Sequence, residues 1–244
     1  MSKKVAVVTG SSRGIGAATA ELLALSGYAV AINYRSRRED AERVAGSIEK
    51  NGGECLVIQA DVADEQQVES LFCAVDQRFG RLDVLVNNAG ILENQCTVSD
   101  LTSERIRRIF SVNVFGTFFC CREAIKRMNP GGAIVNVSSV AAKLGAPNEY
   151  VDYAASKGAV DSLTIGLAKE LAPKNIRVNA VRPGIIDTEI HGDGGESERV
   201  ARIGPQLPLG RGGTVEEVAE SILWLASGKS AFTTGQLIDV AGGL

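Results

Sequence analysis

Histidine is almost absent from this chain, His191 being the only one, and the five cysteines (Cys55, Cys73, Cys96, Cys120, Cys121) include no CxxC pair. Such a set supplies no zinc ligands, so no metal site is expected. An odd number of cysteines without a pairing pattern reads instead as buried, reduced thiols in a cytosolic protein. Charge of one sign is also lacking. The formal net charge is −3 and the basic residues form no stripe, which argues against nucleic acid as a partner. There is no long hydrophobic run. Met1-Ser2-Lys3-Lys4 leads directly into Val5-Ala6-Val7-Val8-Thr9-Gly10, too short for a signal segment, and nothing later approaches a membrane span. A cytoplasmic protein without a membrane partner is the expectation. Linkers, low-complexity tracts and repeats are missing as well, so residues 1–244 are expected to form a single domain.

What is present is a globular composition, 45% hydrophobic and 23% charged, in a chain long enough to bury a large core without staples. Short β-branched runs alternate with helical stretches. Val5–Val8, Tyr28–Ile32, Cys55–Gln59, Val84–Val86, Ile134–Val137, Val178–Val181 and Leu237–Val240 read as strands. Helices follow the glycine-rich turn after the first strand, run from the charged segment to Gly52-Gly53, and open at Asp64 and at Thr214, each a capping residue with Gln or Glu three positions on. Strands that are apolar throughout suit a sheet covered on both faces. The alternation predicts an α/β fold: a doubly wound parallel sheet (Rossmann) of about seven strands with helices on both faces. Ligands should then lie beyond the carboxyl ends of the strands, where the strand order reverses.

The first such loop is Thr9-Gly10-Ser11-Ser12-Arg13-Gly14-Ile15-Gly16. Glycines permit a tight turn close to a pyrophosphate, and the helix behind presents free N–H groups and a partial positive charge. Gly10, Ser12, Arg13, Gly14, Ile15 and Gly16 are therefore candidate cofactor residues, although the G-x-x-x-G-x-G spacing differs from G-x-G-x-x-G. The second strand ends in Asn33-Tyr34-Arg35-Ser36-Arg37-Arg38, with no acid until Glu39 to hold a ribose 2′-hydroxyl. Arg35, helped by Arg13 and flanked by Asn33 and Tyr34, suits a 2′-phosphate through charged hydrogen bonds. A solvated helix start would also account for these arginines, but basic residues are unfavourable at that end of a helix dipole. NADP is the expected cofactor, with NAD possible.

Tyr153 and Lys157 stand at i and i+4 on one face of a helix that runs to about Leu171. An ammonium near a phenol favours the phenolate, giving an acid/base usable near neutral pH. Asn87-Asn88-Ala89-Gly90, Ser138-Ser139 and Pro183-Gly184 end the fourth, fifth and sixth strands. With Thr9–Gly16 and Tyr153/Lys157, this ordered set resembles the short-chain dehydrogenase/reductase family from Val5 to Asp239-Val240-Ala241-Gly242-Gly243, and brings to mind its glucose-dehydrogenase-like and 3-oxoacyl reductase-like members.

That resemblance implies a hydride transfer between NADP(H) and a carbonyl or alcohol. Tyr153 would be the general acid/base, and Lys157 would hold the nicotinamide ribose and lower the phenol's pKa. Ser139 would stabilise the substrate oxygen, and Asn113 would help carry a proton relay through water. Asp61 and Val62 would meet the adenine, Asn87, Ala89 and Gly90 would line the cofactor site, and Pro183, Gly184, Ile186 and Thr188 would close over the carboxamide. A homotetramer is implied by the same likeness. Ser139 and Tyr153 enclose thirteen residues, one more than is usual, which leaves the substrate open. His191 reads as a solvated loop histidine on a mobile flap, and Phe115, Phe118 and Phe119 read as core or subunit contacts.

Two other functions compete. A 3-oxoacyl thioester reductase would share every motif and would want basic residues at the site mouth for an acyl-carrier protein, for which Arg105, Arg107, Arg108, Lys126 and Arg127 are candidates. A non-catalytic NADP(H)-sensing protein would be signalled by loss of Tyr153 or Lys157, and both are present.

Overall fold

Val5 and Val7 point to one side of the first strand and Ala6 and Val8 to the other, and all four are buried. In the computed structural model, which describes residues 3–244, that double burial extends across a parallel sheet of seven strands in the order β3-β2-β1-β4-β5-β6-β7. The elements run β1 (Val5–Val8), α1 (Gly14–Leu25), β2 (Ala29–Tyr34), α2 (Arg38–Lys50), β3 (Glu54–Gln59), α3 (Glu65–Phe79) and β4 (Leu82–Asn87). Then come α4 (Ser103–Phe110), a π-helical turn (Ser111–Phe115), α5 (Gly116–Ile125), β5 (Met128–Val137), α6 (Ala141–Leu144), α7 (Val151–Leu171) and β6 (Arg177–Pro183). The chain closes with α8 (Ile190–Asp193), α9 (Arg199–Ile203), α10 (Val215–Ala226) and β7 (Leu237–Val240).

One face of the sheet packs Ala6, Val8, Val30 and Ile32 against Leu23, Ile48, Ile222 and Leu225 of α1, α2 and α10. The other packs Val5, Val7, Leu85 and Ile134 against Leu71, Phe72, Ala124 and Leu171 of α3, α5 and α7. Each fully buried side chain of this size contributes about 1.5–3 kcal/mol of apolar transfer, which explains why the strands contain so few polar residues. The order reverses between β1 and β4, so their carboxyl ends diverge into a crevice.

All seven expected strands form, several with shifted ends. The largest extension is β5, which begins at Met128 rather than Ile134. Its first half contains Pro130, Gly131 and Gly132, residues that weaken a strand reading, and the pairing with β4 shifts register between Leu82 and Val84 to accommodate them. Both expected caps form. Asp64 accepts from the N–H groups of Gln66 and Gln67, and Thr214 and Glu217 make a reciprocal capping box. Among the described residues no helix is long and apolar enough to cross a membrane.

Thr214→Ala removes the acceptor that holds the first turn of α10, whose buried face covers the sheet. It is expected to lower the unfolding free energy by about 1 kcal/mol in urea denaturation. An unchanged midpoint would show that the cap contributes nothing.

Candidate active site

A cleft of about 980 Å³ opens at the carboxyl ends of the strands, where the order reverses. At one end lies the turn between β1 and α1. Gly10 and Gly14 adopt φ of 61° and 56°, the region that favours glycine. A Cβ on Gly10 would stand 2.9 Å from the Cα of Ala89, and one on Gly16 would stand 2.5 Å from the Gly10 carbonyl. The turn is held from across the crevice: Asn88 Nδ2 donates to the carbonyls of Thr9 and Gly10, and Thr9 Oγ1 accepts from the N–H groups of Asn88 and Ala89. Arg13, the N-cap of α1, makes no side-chain cap bond, so the first-turn N–H groups stay available to an anion.

Asn33, Tyr34, Arg35, Arg37, Asp61 and Val62 wall the next section. Asn33 is buried and braces the strand ends, accepting from Gly10 N–H and donating to the Ala60 carbonyl. Arg13 and Arg37 are each ion-paired to Glu189 at 2.8 Å, and Arg13 also bonds Asp193. Among the described residues the side chain of Arg35 has no ion pair.

At the other end α7 brings Tyr153 and Lys157 to the terminus of β5. Tyr153 and Ser139 both line this end of the cleft, and Lys157 Nζ lies 5.6 Å from the phenol ring centroid. Lys157 is buried and donates to the Val137 carbonyl at 2.8 Å. Burial pushes this ammonium down to about 8, opposed by the charge of Asp161 one turn on. Burial likewise pushes the phenol up to about 12, with the Ser139 hydrogen bond acting in the opposite sense. In the chain alone burial is the dominant effect on the phenol, and its acidification by Lys157 stays an expectation. Between Ser139 and Tyr153, Gly145, Ala146 and Asn148 all take positive φ.

Behind this end, Asn113 sits in the π-helical turn, a device that re-aims side chains inside a helix. Its amide is fully engaged, accepting from Ile91 N–H and donating to the Ile91 carbonyl and to Ser156. Arg105 and Asp152 form a buried ion pair at 2.7 Å that ties α4 to the first turn of α7. Removing one partner of such a pair typically costs about 3–5 kcal/mol.

Most of the expected residues line this one cleft, but three do not. Asn87 turns into the sheet, donating to Asn136 and Cys121, because β4 continues through it; Asn88 is the residue that faces the crevice. Gly16 serves packing against Gly10 and Asn88 rather than the wall. Asn113 stands one layer back, against Gly90. His191 was expected in solvent and is instead buried: α8 folds the ring inward so that Nε2 bonds the Ile186 carbonyl, and burial lowers its pKa. Cys120 and Cys121 are buried as expected, whereas Cys55, Cys73 and Cys96 are only half-buried. Residues missed in the sequence include Asn88, Tyr150 and Arg199. Tyr150 donates to the Gly194 carbonyl, and Arg199 pairs with Glu149 and Glu196, together holding the segment after β6 over the cleft.

The donor set fits a dinucleotide. Glycine turn, helix terminus and guanidinium groups suit phosphates, and a Cβ on Gly90 would come within 3.3 Å of Lys157 Nζ, so the wall there must stay flat. Comparison with known proteins agrees in kind. A family model described as enoyl-(acyl carrier protein) reductase matches residues 10–244. The Escherichia coli protein named Uncharacterized oxidoreductase YgfF is 57% identical over 244 residues, covering 98% of this chain and 99% of its own. The 3-oxoacyl-(acyl-carrier-protein) reductase FabG of Staphylococcus aureus is 40% identical over 243 residues, 99% of this chain and 98% of its own. A crystal structure of a short chain dehydrogenase from Burkholderia cenocepacia in complex with NADP superposes with a TM-score of 0.93 at 35% identity, covering 99% and 98% of the two chains.

The lowered ammonium predicts a pH signature. An unfolded Lys157 binds its proton up to about 10.5, and the folded one only to about 8. Between those values the unfolded state holds more protons, so this group makes stability rise with pH. Urea unfolding of wild type and Lys157→Met should show the wild type gaining on the variant from pH 7.5 to 10. A constant difference would contradict the buried ammonium.

Proposed function

The chain belongs to the short-chain dehydrogenase/reductase family, and from that membership we propose that it transfers a hydride between NADP(H) and the carbonyl or alcohol carbon of a small molecule. The observation that carries this reading is the meeting of Ser139, Tyr153 and the buried Lys157, whose Nζ lies over the phenol ring, at one end of a cleft whose other end is a glycine turn ringed by arginines. When bound, the dinucleotide supplies or accepts the hydride.

In the reductive direction Tyr153 Oη gives its proton to the carbonyl oxygen. Ser139 Oγ donates a hydrogen bond to the same oxygen as negative charge gathers on it. A phenol held near 12 is protonated at neutral pH, the state an acid requires. As the proton leaves, the ammonium of Lys157 favours the phenolate. In the oxidative direction the same oxygen takes the hydroxyl proton. Lys157 would also hold the nicotinamide ribose, and Asn113, through Ile91 and Ser156, is a positioning residue for this group. Gly10, Ser12, Gly14 and Ile15 would receive the pyrophosphate, Asp61 and Val62 the adenine, and Pro183, Gly184, Ile186 and Thr188 the carboxamide. Arg35, with Arg13 and Arg37 beside it, would take the 2′-phosphate. The absence of an acid from Asn33 to Arg38 supports NADP over NAD, as does the NADP bound by the Burkholderia relative.

A second reading, 3-oxoacyl thioester reduction, is favoured by the Staphylococcus FabG relative. Of the five basic residues weighed for a carrier-protein partner, Arg108 alone borders the cleft, and it is paired with Glu93. A homotetramer remains the proposed assembly. Phe115, Phe118 and Ile165, on and around α5 and α7, are exposed, as is Phe232 before β7.

Tyr153→Phe is expected to lower kcat by about 10²–10⁴-fold while NADPH binding, followed by fluorescence, is retained; full turnover would remove Tyr153 from the chemistry. NADPH should give the higher kcat/KM than NADH with aldehyde, ketone or sugar substrates. Turnover with 3-oxoacyl thioesters alone would select the second reading.

A further inference from the structure

We propose that Glu189 and Asp193 set the cofactor selectivity of this chain, acting as internal counter-anions that hold the arginines of the adenosine end and must yield them to a 2′-phosphate. This rests on the reading of Arg13, Arg35 and Arg37 as the 2′-phosphate site. One oxygen of Glu189 accepts from both Arg13 and Arg37 at 2.8 Å, so a single carboxylate from the segment after β6 bridges the turn after β1 and the turn after β2. Asp193, one turn further along, bonds Arg13 as well. All four side chains line the one cleft, and the two acids are 62% and 42% exposed.

A dianionic phosphate arriving at these guanidinium groups meets Glu189 and Asp193 already in place, and Asp40 3.4 Å from Arg37 as well. It must displace them or lie beside like charge, and either outcome costs affinity. A ribose 2′-hydroxyl is neutral and meets no such competition. Arg35, without an ion pair among the described residues, is the cation free to receive the phosphate first. The acids therefore hold the preference for the phosphorylated cofactor below what three arginines alone would give. Because the pairs are partly exposed, each is weak and sensitive to salt.

Calorimetric titration with 2′,5′-ADP and 5′-AMP isolates the effect from catalysis. In the double variant Glu189→Gln/Asp193→Asn, the ratio of 2′,5′-ADP to 5′-AMP affinity should rise about three- to tenfold. Misfolding would weaken both ligands and leave no such rise. The same charge change made at Glu216 and Glu220, exposed on α10, should leave the ratio as in wild type. An unchanged or lowered ratio in Glu189→Gln/Asp193→Asn, or an equal rise in the α10 control, would overturn the proposal. Should wild type itself bind the two ligands equally, the 2′-phosphate site would fail first, and the selectivity role with it.

Discussion

The Tyr153 end of the cleft depends on burying one ammonium, that of Lys157, against the last carbonyl of β5. A buried charge is costly unless neighbours compensate it, and here compensation is partial: one carbonyl, and the field of Asp161 one turn away. Asp161 is itself paired with Arg182 of β6, which reaches on to Asp239 of β7. The charge under the phenol is thus tied through two strands to the edge of the sheet. Space constrains it too, since a Cβ on Gly90 would crowd Nζ at 3.3 Å and Asn113 Oδ1 at 3.4 Å.

The rest of the scaffold keeps α7 where that arrangement survives. Asn87, Asn136 and Thr164 form a buried polar chain from β4 through β5 to α7. The Arg105–Asp152 pair fixes the first turn of the same helix, and Asn113 reaches Ser156, whose hydroxyl donates to the Tyr153 carbonyl. Such networks favour a unique geometry to the extent that their members are satisfied, and among the described residues the Asn87 side-chain oxygen is buried without a partner. At the opposite end, the segment after β6 is gripped on two sides, by Arg13 and Arg37 near the phosphate turn and by Glu149 and Tyr150 near the substrate mouth. A loop so held can couple the two halves of the cleft.

The sheet was legible in the sequence because fully covered parallel strands write an uninterrupted apolar run, as at Val5–Val8 and Val178–Val181. β5 was half hidden because glycine and proline in a register shift look like a turn. The glycine loop and the Tyr153/Lys157 pair were legible because both are recognisable by residue type and spacing alone, and the structure places both on the one cleft. Asn87 and Asn88 could not be told apart, since only the strand's last residue decides which amide faces the sheet and which the crevice. His191 was misread because its burial comes from a four-residue helix with no periodicity to betray it. Spacing likewise reports that a charge is near Tyr153 but not how much water has been removed from the phenol, and burial raises its pKa in the chain alone.

The most direct test of the account is a crystal structure of the chain with NADP⁺ bound. The account requires the nicotinamide ribose within hydrogen-bond reach of Lys157 Nζ, and the ring opposite the Tyr153 and Ser139 hydroxyls. A dinucleotide lying elsewhere, or a Tyr153 hydroxyl directed away from the ring and from Ser139, would contradict it.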